Sequence, residues 1–173
     1  MGVSVFPAPS VGDNWVQIAT TTPNSGTVVT FSSIAQSYSK LMVMMVGQTT
    51  SISGGSSSNY FNINGSTTGY SCPMRSIVNA GTLSTQINNN SMLFNPAIPA
   101  SSNLSGFIVI ESANTTTPKR IYGSLTNSTA TAFASWCDNG FFSATNFVSS
   151  ISFTLGTGTF SSGLVFTLYG VRA

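Results

Sequence analysis

Only three carboxylates could support acid–base chemistry in this chain of 173 residues: Asp13, Glu111 and Asp138. The sequence contains no histidine, so it can form neither a Ser-His-Asp or Cys-His nucleophilic site nor the common His-ligated zinc site. Glu111 ends an apolar run, and we expect it to meet Lys119 or Arg120 at the far side of a polar loop. A catalytic carboxylate is one interpretation of Glu111. We favour the other, an exposed ion pair at a hairpin end, worth well under ~1 kcal/mol.

The remaining candidates for chemistry have simpler explanations. Asp13 and Asp138 adjoin asparagine and glycine, a context typical of turns. Ser37 and Lys40 match a Ser-x-x-Lys element, but serine fills 30 of 173 positions and the companion elements of that site are missing. Three carboxylates and two cysteines are too few for a dedicated metal cage. We therefore predict no enzymatic activity, no cofactor and no metal site.

The low charge of the chain excludes further partners. Lysine and arginine number 5 and the acidic residues 3, for a formal net charge of +2, and five scattered cations cannot neutralise a run of phosphates. We therefore predict no nucleic-acid binding. Residues 1–7 lack the basic start and apolar core of a signal peptide. The longest apolar run, Leu41–Val46, is far shorter than the roughly 20 residues that span a bilayer, so no membrane insertion is expected.

Synthesis in a cytoplasm determines the expected state of the two cysteines. Cys72 and Cys137 are predicted to be buried thiols there, and they would pair only in an oxidising compartment.

Hydrophobic alternation with period two is the dominant pattern, and it predicts strands. The 30 Ser, 22 Thr, 15 Asn and 16 Gly are poor helix formers, although one short helical turn is expected over Ser32–Ser39. We predict an all-β fold, a two-sheet antiparallel sandwich of jelly-roll type. Its expected strands are Trp15–Thr21, Thr27–Phe31, Lys40–Gly47, Asn59–Ile63, Gly106–Glu111, Arg120–Thr126, Ala132–Cys137, Ile151–Leu155 and Gly163–Val171.

The segment Lys40–Gly47 differs from the other predicted strands because it is apolar on both faces. A strand of this kind is expected either at the centre of its sheet or against a neighbouring subunit. The chain as a whole has a mean hydropathy of +0.25 with 5% charged residues. Because so little charge keeps a monomer poorly soluble, we expect association to bury some apolar surface in a closed symmetric assembly.

Two regions are candidates for contacts with partners. Residues 1–13 are predicted to be an extended N-terminal arm before a single sandwich domain over residues 14–173. We expect this arm to dock on a neighbouring subunit through its apolar residues, which are Val3, Val5, Phe6, Pro7 and Pro9.

Aromatic residues near the predicted loops form the second candidate region. They either stack on a sugar or contact a protein, or they pack into the core beneath the loops, which is the more usual place for aromatic residues of β proteins. The residues concerned are Tyr60, Phe61, Tyr70, Trp136, Phe141 and Phe142.

Several stretches of the chain resemble jelly-roll-like virion structural proteins of tailed bacteriophages. Trp15–Thr20, Thr27–Ile34 and Tyr38–Leu41 are similar to a recurrent opening of these proteins, and Val148–Phe153 and Phe166–Val171 are similar to their ending. The resemblance extends over most of the chain from residue 15 onward. It departs between residues 110 and 120, where the chain is less charged and less aromatic than these relatives.

The resemblance implies a trimeric structural protein on the virion exterior, assembled in the host cytoplasm. Two roles compete. In one, trimers decorate the capsid as a cement protein and bind the major capsid protein or neighbouring virion proteins. In the other, the domain is the tip of a tail or capsid fibre and binds a host surface glycan or protein. Because a fibre protein normally carries a docking domain and a shaft, and neither is recognisable here, we favour decoration.

Overall fold

The computed structural model describes residues 14–48, 60–78, 82–88, 92–93, 103–128, 133–156 and 158–173. Within these ranges the chain forms strands and no helix, so the all-β prediction is confirmed. The predicted arm, residues 1–13, lies outside the described residues. The strands are β1 Trp15–Thr21, β2 Val28–Phe31, β3 Tyr38–Gln48, β4 Tyr60–Ile63, β5 Tyr70–Val78, β6 Thr82–Asn88, β7 Met92–Leu93, β8 Asn103–Glu111, β9 Lys119–Ser128, β10 Phe133–Phe142, β11 Ile151–Thr154 and β12 Leu164–Arg172.

These strands form two antiparallel sheets. The larger sheet has eight strands in the order β1-β12-β3-β8-β9-β10-β5-β6, and the smaller has four in the order β2-β11-β4-β7. Neither sheet closes on itself, since the first and last strands of each order are not paired with one another. The chain therefore folds as a sandwich-like pair of open sheets.

Alternation in the sequence explains which side chains face the core. In β12, Leu164, Phe166 and Leu168 are buried, whereas the intervening Val165 and Thr167 are half-buried on the other face. The same pattern recurs in the neighbouring strands because successive side chains of a strand point to opposite faces. The buried side chains of β3, β8, β9 and β12 share one core with those of β2, β4 and β11 in the smaller sheet.

Aromatic rings join the two sheets. Phe153 of β11 lies 5.2 Å from Phe166 of β12 and 5.3 Å from Phe61 of β4, measured between ring centroids. Phe160 meets Phe166 edge to face at 5.3 Å. All four side chains are at most 1% exposed, so they form the centre of a single core between the sheets.

The strand that is apolar on both faces lies where the sequence predicts, inside the larger sheet. β3 pairs with β12 on one side and β8 on the other. Leu41, Val43 and Met45 are buried in the core, but Met44 and Val46 on the opposite face are 36% and 48% exposed. The expectation of a central strand is confirmed.

Three strands and two turns differ from the sequence predictions. β5, β6 and β7 have no predicted counterpart, and the helical turn expected over Ser32–Ser39 is wrong, since this segment contains no helix and β3 begins at Tyr38. The turn expected at Asp138 is also wrong. β10 continues through this residue, opposite Gly123 of β9 and Met74 of β5, because pairing on both sides overrides the local preference for a turn.

The ring contacts between the sheets should dominate stability. Replacing Phe153, which is 0% exposed, by Ala should lower the free energy of unfolding by about 3–5 kcal/mol, since it opens a cavity between the sheets. Chemical denaturation followed by circular dichroism measures this change. Phe141→Ala is the control, because Phe141 is 56% exposed and its loss should change stability by about 0.5 kcal/mol or less. Equal losses in both variants would contradict the described core.

Candidate interaction surfaces

The outer face of the larger sheet, opposite the core, is mostly apolar over the adjacent strands β12, β3 and β8, with Ser105 and Thr167 among the apolar positions. Exposed positions in β3 and β8 include Met44 at 36%, Val46 at 48% and Phe107 at 38%. Half-buried or buried apolar neighbours complete the surface. We call this set the outer patch, and it consists of Met42, Met44, Val46, Phe107, Val109, Val165 and Tyr169.

Strand register makes the outer patch continuous. Met44 of β3 lies opposite Phe107 of β8, and Val46 lies opposite Val165 of β12. Side chains directly opposite one another in an antiparallel pair are in contact distance. A contiguous exposed apolar surface of this kind marks an interaction site more often than isolated exposed residues do.

Charged side chains border the outer patch at one end. Lys40, Glu111 and Arg120 are register neighbours on β3, β8 and β9. Arg120 Nη1 lies 3.9 Å from Glu111 Oε2, and the Tyr122 hydroxyl donates to Glu111 Oε1 at 3.4 Å. Burial, followed by the Glu111 carboxylate, raises the pKa of Tyr122. The predicted hairpin-end ion pair thus forms, with Arg120, and because Arg120 is 53% exposed it contributes little to stability.

Lys119 has a different role from the one expected of it. Its side chain is fully buried, and its ammonium donates to the carbonyl oxygens of Thr115 at 2.7 Å and Thr117 at 2.6 Å. Burial lowers the pKa of Lys119. The side chain therefore braces the loop between β8 and β9 from inside, a role for which the sequence has no local signal.

Three of the six loop aromatics belong to the core. Phe61, Tyr70 and Phe142 are at most 3% exposed, and the Tyr70 and Phe142 rings stack at a centroid distance of 4.6 Å. The Tyr70 hydroxyl accepts from the Ile63 backbone N–H at 2.7 Å and donates to the Ser66 carbonyl at 3.3 Å. Of the two alternatives, packing into the core holds for these three residues, because inward strand positions bury them and leave them no exposed surface for a partner.

The other predicted contact residues are distributed differently. Phe141, at the end of β10, is 56% exposed, and Tyr60 on β4 is half-buried. Trp136 lies on β10, and Cys72 and Cys137 lie on β5 and β10, but these side chains are outside those the structure describes. The arm residues Val3, Val5, Phe6, Pro7 and Pro9 also lie outside the described residues.

A second surface feature is a pocket of about 400 Å³ where four loops meet. It contains one exposed aromatic side chain, Phe147, among amide and hydroxyl groups, and none of its lining residues is ionisable. We call it the Phe147 pocket. Its lining residues are Gln36, Asn64, Thr116, Thr145, Asn146, Phe147 and Ser149. The sequence gives no signal for this pocket because its lining comes from four separate segments of the chain, at residues 36, 64, 116 and 145–149.

Asn64 holds one wall of the Phe147 pocket in place. Its side-chain Nδ2 donates to the Phe147 carbonyl at 2.7 Å. Its Oδ1 accepts from the backbone N–H groups of Ser149 at 2.8 Å and Ser150 at 3.1 Å. Asn64 has a φ of 54°, in the left-handed region that asparagine tolerates better than most residues. One side chain therefore ties the turn after β4 to the segment before β11.

Two further features are absent from the described residues. They contain no group of three or more His, Cys, Asp or Glu side chains placed to hold a metal ion. Across the same residues, the fold has no helix that is both long enough and apolar enough to cross a bilayer.

The core position of Tyr70 leads to a prediction about pH. Burial raises the pKa of Tyr70 to about 12 from its ordinary value of 10. Below pH 10 the Tyr70 phenol is neutral in both the folded and the unfolded chain, and its contribution to the free energy of unfolding is complete. As the pH rises from 10 towards 12 this contribution is lost, because Tyr70 ionises there in the unfolded chain but not in the folded one. Tyr70→Phe should lower stability by about 1–3 kcal/mol at pH 8, because it leaves the Ile63 N–H without its partner.

Urea denaturation at several pH values tests both effects. Between pH 8 and pH 11 the wild-type protein should lose about 1 kcal/mol more stability than Tyr70→Phe does. Tyr60→Phe is the control, because Tyr60 is only half-buried and this variant keeps the Tyr70 phenol, so its pH profile should follow that of the wild type. Parallel pH profiles for the wild type and Tyr70→Phe would contradict the buried phenol.

Comparison with known proteins adds no family. No protein-family model matches the chain, and no curated protein matches its sequence. Among solved structures, the crystal structure of a protein of unknown function from Shewanella oneidensis MR-1 aligns with 92% of this chain and 78% of its own, at 11% identity and a TM-score of 0.23. A score this low carries no argument about fold or function.

Proposed function

We propose that this chain is a non-enzymatic structural subunit of a tailed-phage virion. In this proposal it is a trimeric capsid decoration protein that binds the major capsid protein on the outer surface of the shell and stabilises it. The observation that carries the proposal is the outer patch. This apolar face of the larger sheet has charged side chains at only one end of its described strands. The resemblance of the chain to virion proteins supplies the biological context.

The outer patch has the properties that a subunit interface needs. A stable interface buries about 800 Å² per partner, which is roughly a tenth of the 8800 Å² accessible surface. Met44, Phe107 and Val46 supply exposed apolar groups on neighbouring strands without an intervening charge. Since 5% of the residues are charged, covering this face with a second copy also removes the main obstacle to solubility.

In a ring of three copies, the apolar face of each subunit is covered and each N-terminal arm has a neighbouring subunit on which to dock. In a closed ring each subunit offers one surface and receives another, so no apolar face is left over. The arm residues 1–13 then extend from one subunit to its neighbour or to the capsid. Many copies acting together stiffen a shell even where each contact is weak. Two open sheets around one core are compatible with the jelly-roll topology included in the proposal.

A second candidate function, the receptor-binding tip of a tail or capsid fibre, is favoured by the Phe147 pocket. In this role the exposed aromatic ring contacts a receptor, and the polar groups around it fix the orientation of the bound group. A fibre tip and a decoration protein differ in abundance on the particle, which makes them experimentally separable.

Self-association through the outer patch can be tested with a matched pair of substitutions. Val46 on the patch and Val28 on β2 of the smaller sheet are 48% and 52% exposed. Val46→Asp should weaken the trimer about 10- to 100-fold, because it buries an unpaired carboxylate at the interface. Val28→Asp should leave the trimer intact. Analytical ultracentrifugation measures both, and a monomeric wild type or equal dissociation in the two variants would refute the interface.

The virion role is tested by counting copies on purified particles with quantitative mass spectrometry. We expect hundreds of copies for a decoration protein, whereas a few to a few tens would favour a fibre tip. Absence from particles would overturn both roles.

Deleting residues 1–13 should leave a folded sandwich by circular dichroism but abolish attachment, because the arm is the proposed clamp. Normal occupancy of the truncated protein would contradict the clamp.

A further inference from the structure

We propose that the Phe147 pocket binds a neutral sugar, with one pyranose ring of a glycan packed on Phe147. The sugar hydroxyls are bonded by the polar side chains around it, which are Gln36, Thr116, Thr145 and Asn146. This inference goes beyond the proposed structural role and depends on neither the trimer nor the virion.

The composition of the pocket matches the two kinds of surface on a sugar. A pyranose presents C–H groups on a ring face and hydroxyls around its edge, so it suits an apolar ring surrounded by polar groups. Phe147 is 36% exposed and supplies the ring. The volume of about 400 Å³ falls in the range of small-molecule sites, which is about 300–1,000 Å³. A shallow pocket of this size accommodates the end of a glycan chain.

The polar groups of the pocket are available to a ligand. The side chains of Gln36, Thr116, Thr145 and Asn146 are exposed, and within the described ranges none of them is hydrogen-bonded to another residue. Amide groups donate and accept, and so do threonine hydroxyls. A sugar hydroxyl also donates and accepts, so a hydrogen bond between it and one of these side chains can form in either direction.

The backbone around these side chains is held in place from behind. The Ile34 N–H donates to the Ser149 carbonyl at 3.0 Å, and the Val148 N–H donates to the Ala113 carbonyl at 2.9 Å. The Asn64 side chain bonds three backbone groups of the same segment. These contacts tie the loops that carry Gln36 and Phe147 to one another, so binding needs little ordering of the backbone.

Lys119 braces the remaining wall. Its two bonds to the carbonyls of Thr115 and Thr117 enclose Thr116 between them, and the Thr115 hydroxyl donates to the Ser112 carbonyl at 2.9 Å. The loop that offers Thr116 to the pocket is thereby fixed at both sides. A preformed wall of this kind reduces the entropy that a ligand must overcome on binding.

The charge of the pocket selects for a neutral sugar. No ionisable side chain lines it, and the buried Lys119 ammonium is directed to two carbonyl oxygens. A phosphate or a carboxylated sugar would lose hydration here without gaining a cationic partner. We therefore expect neutral hexoses or N-acetylhexosamines and no preference for acidic sugars.

Saturation-transfer difference NMR tests the site with defined probes. The full-length protein is mixed separately with the methyl glycosides of glucose, galactose, mannose and N-acetylglucosamine, at concentrations on the order of 1–10 mM, where single sugars are expected to bind. At least one should receive saturation, strongest at the C–H protons of one ring face. Phe147→Ala should weaken binding of that glycoside at least tenfold. Phe141→Ala should bind as the wild type does, since Phe141 is exposed elsewhere.

Several results would overturn the sugar site. The site would be refuted if none of the four glycosides received saturation, or if Phe147→Ala bound the glycoside as well as the wild type does. It would also be refuted if Phe141→Ala lost as much binding as Phe147→Ala, or if the methyl glycoside of N-acetylneuraminic acid bound more tightly than the neutral glycosides. If Phe147→Ala fails to fold by circular dichroism, Asn146→Ala replaces it, with a loss of at least threefold expected and unchanged binding counted against the site. Because all measurements use isolated protein, failure here is distinct from failure of the virion role.

Discussion

The contact of Phe153 with Phe166 is the one on which the rest of this structure depends, because it holds the smaller sheet on the larger one. Strands β2, β4 and β11 have four residues each and β7 has two, which is too little pairing for a sheet to be stable alone. The smaller sheet exists because its inner side chains are buried against β12 and its neighbours. The loops that form the Phe147 pocket adjoin the ends of β4 and β11, so their positions follow from this packing.

The two faces of β3 contribute differently to the fold. Leu41, Val43 and Met45 satisfy the core, and a strand needs no second apolar face for that purpose. The apolar outer residues Met44 and Val46 therefore contribute little to the fold of a single chain. In the proposed structural role, a partner subunit covers them together with Phe107.

Because the chain has few charged residues, its loops are held by hydrogen bonds from side chains to the backbone. Asn64 bonds three backbone groups of the segment before β11, and Lys119 bonds two carbonyls inside the loop after β8. Buried polar groups of this kind are stable only when they are paired, so each one specifies a particular loop geometry. The Phe147 pocket lies between these two braces, and its polar side chains face solvent while the bonding behind them holds their backbone.

The sequence by itself determined most of the strands, the place of β3 inside its sheet and an ion pair of Glu111 at a hairpin end, because alternation and turn chemistry are local properties. Tertiary structure alone decided the strands β5 and β6, whose few apolar residues and Pro73 give no clear alternation, so pairing with neighbours makes them strands. It also decided which aromatic residues are buried and where the Phe147 pocket forms. Gln36 and Phe147 are more than a hundred residues apart in the chain, and only the packing of one sheet on the other brings them together.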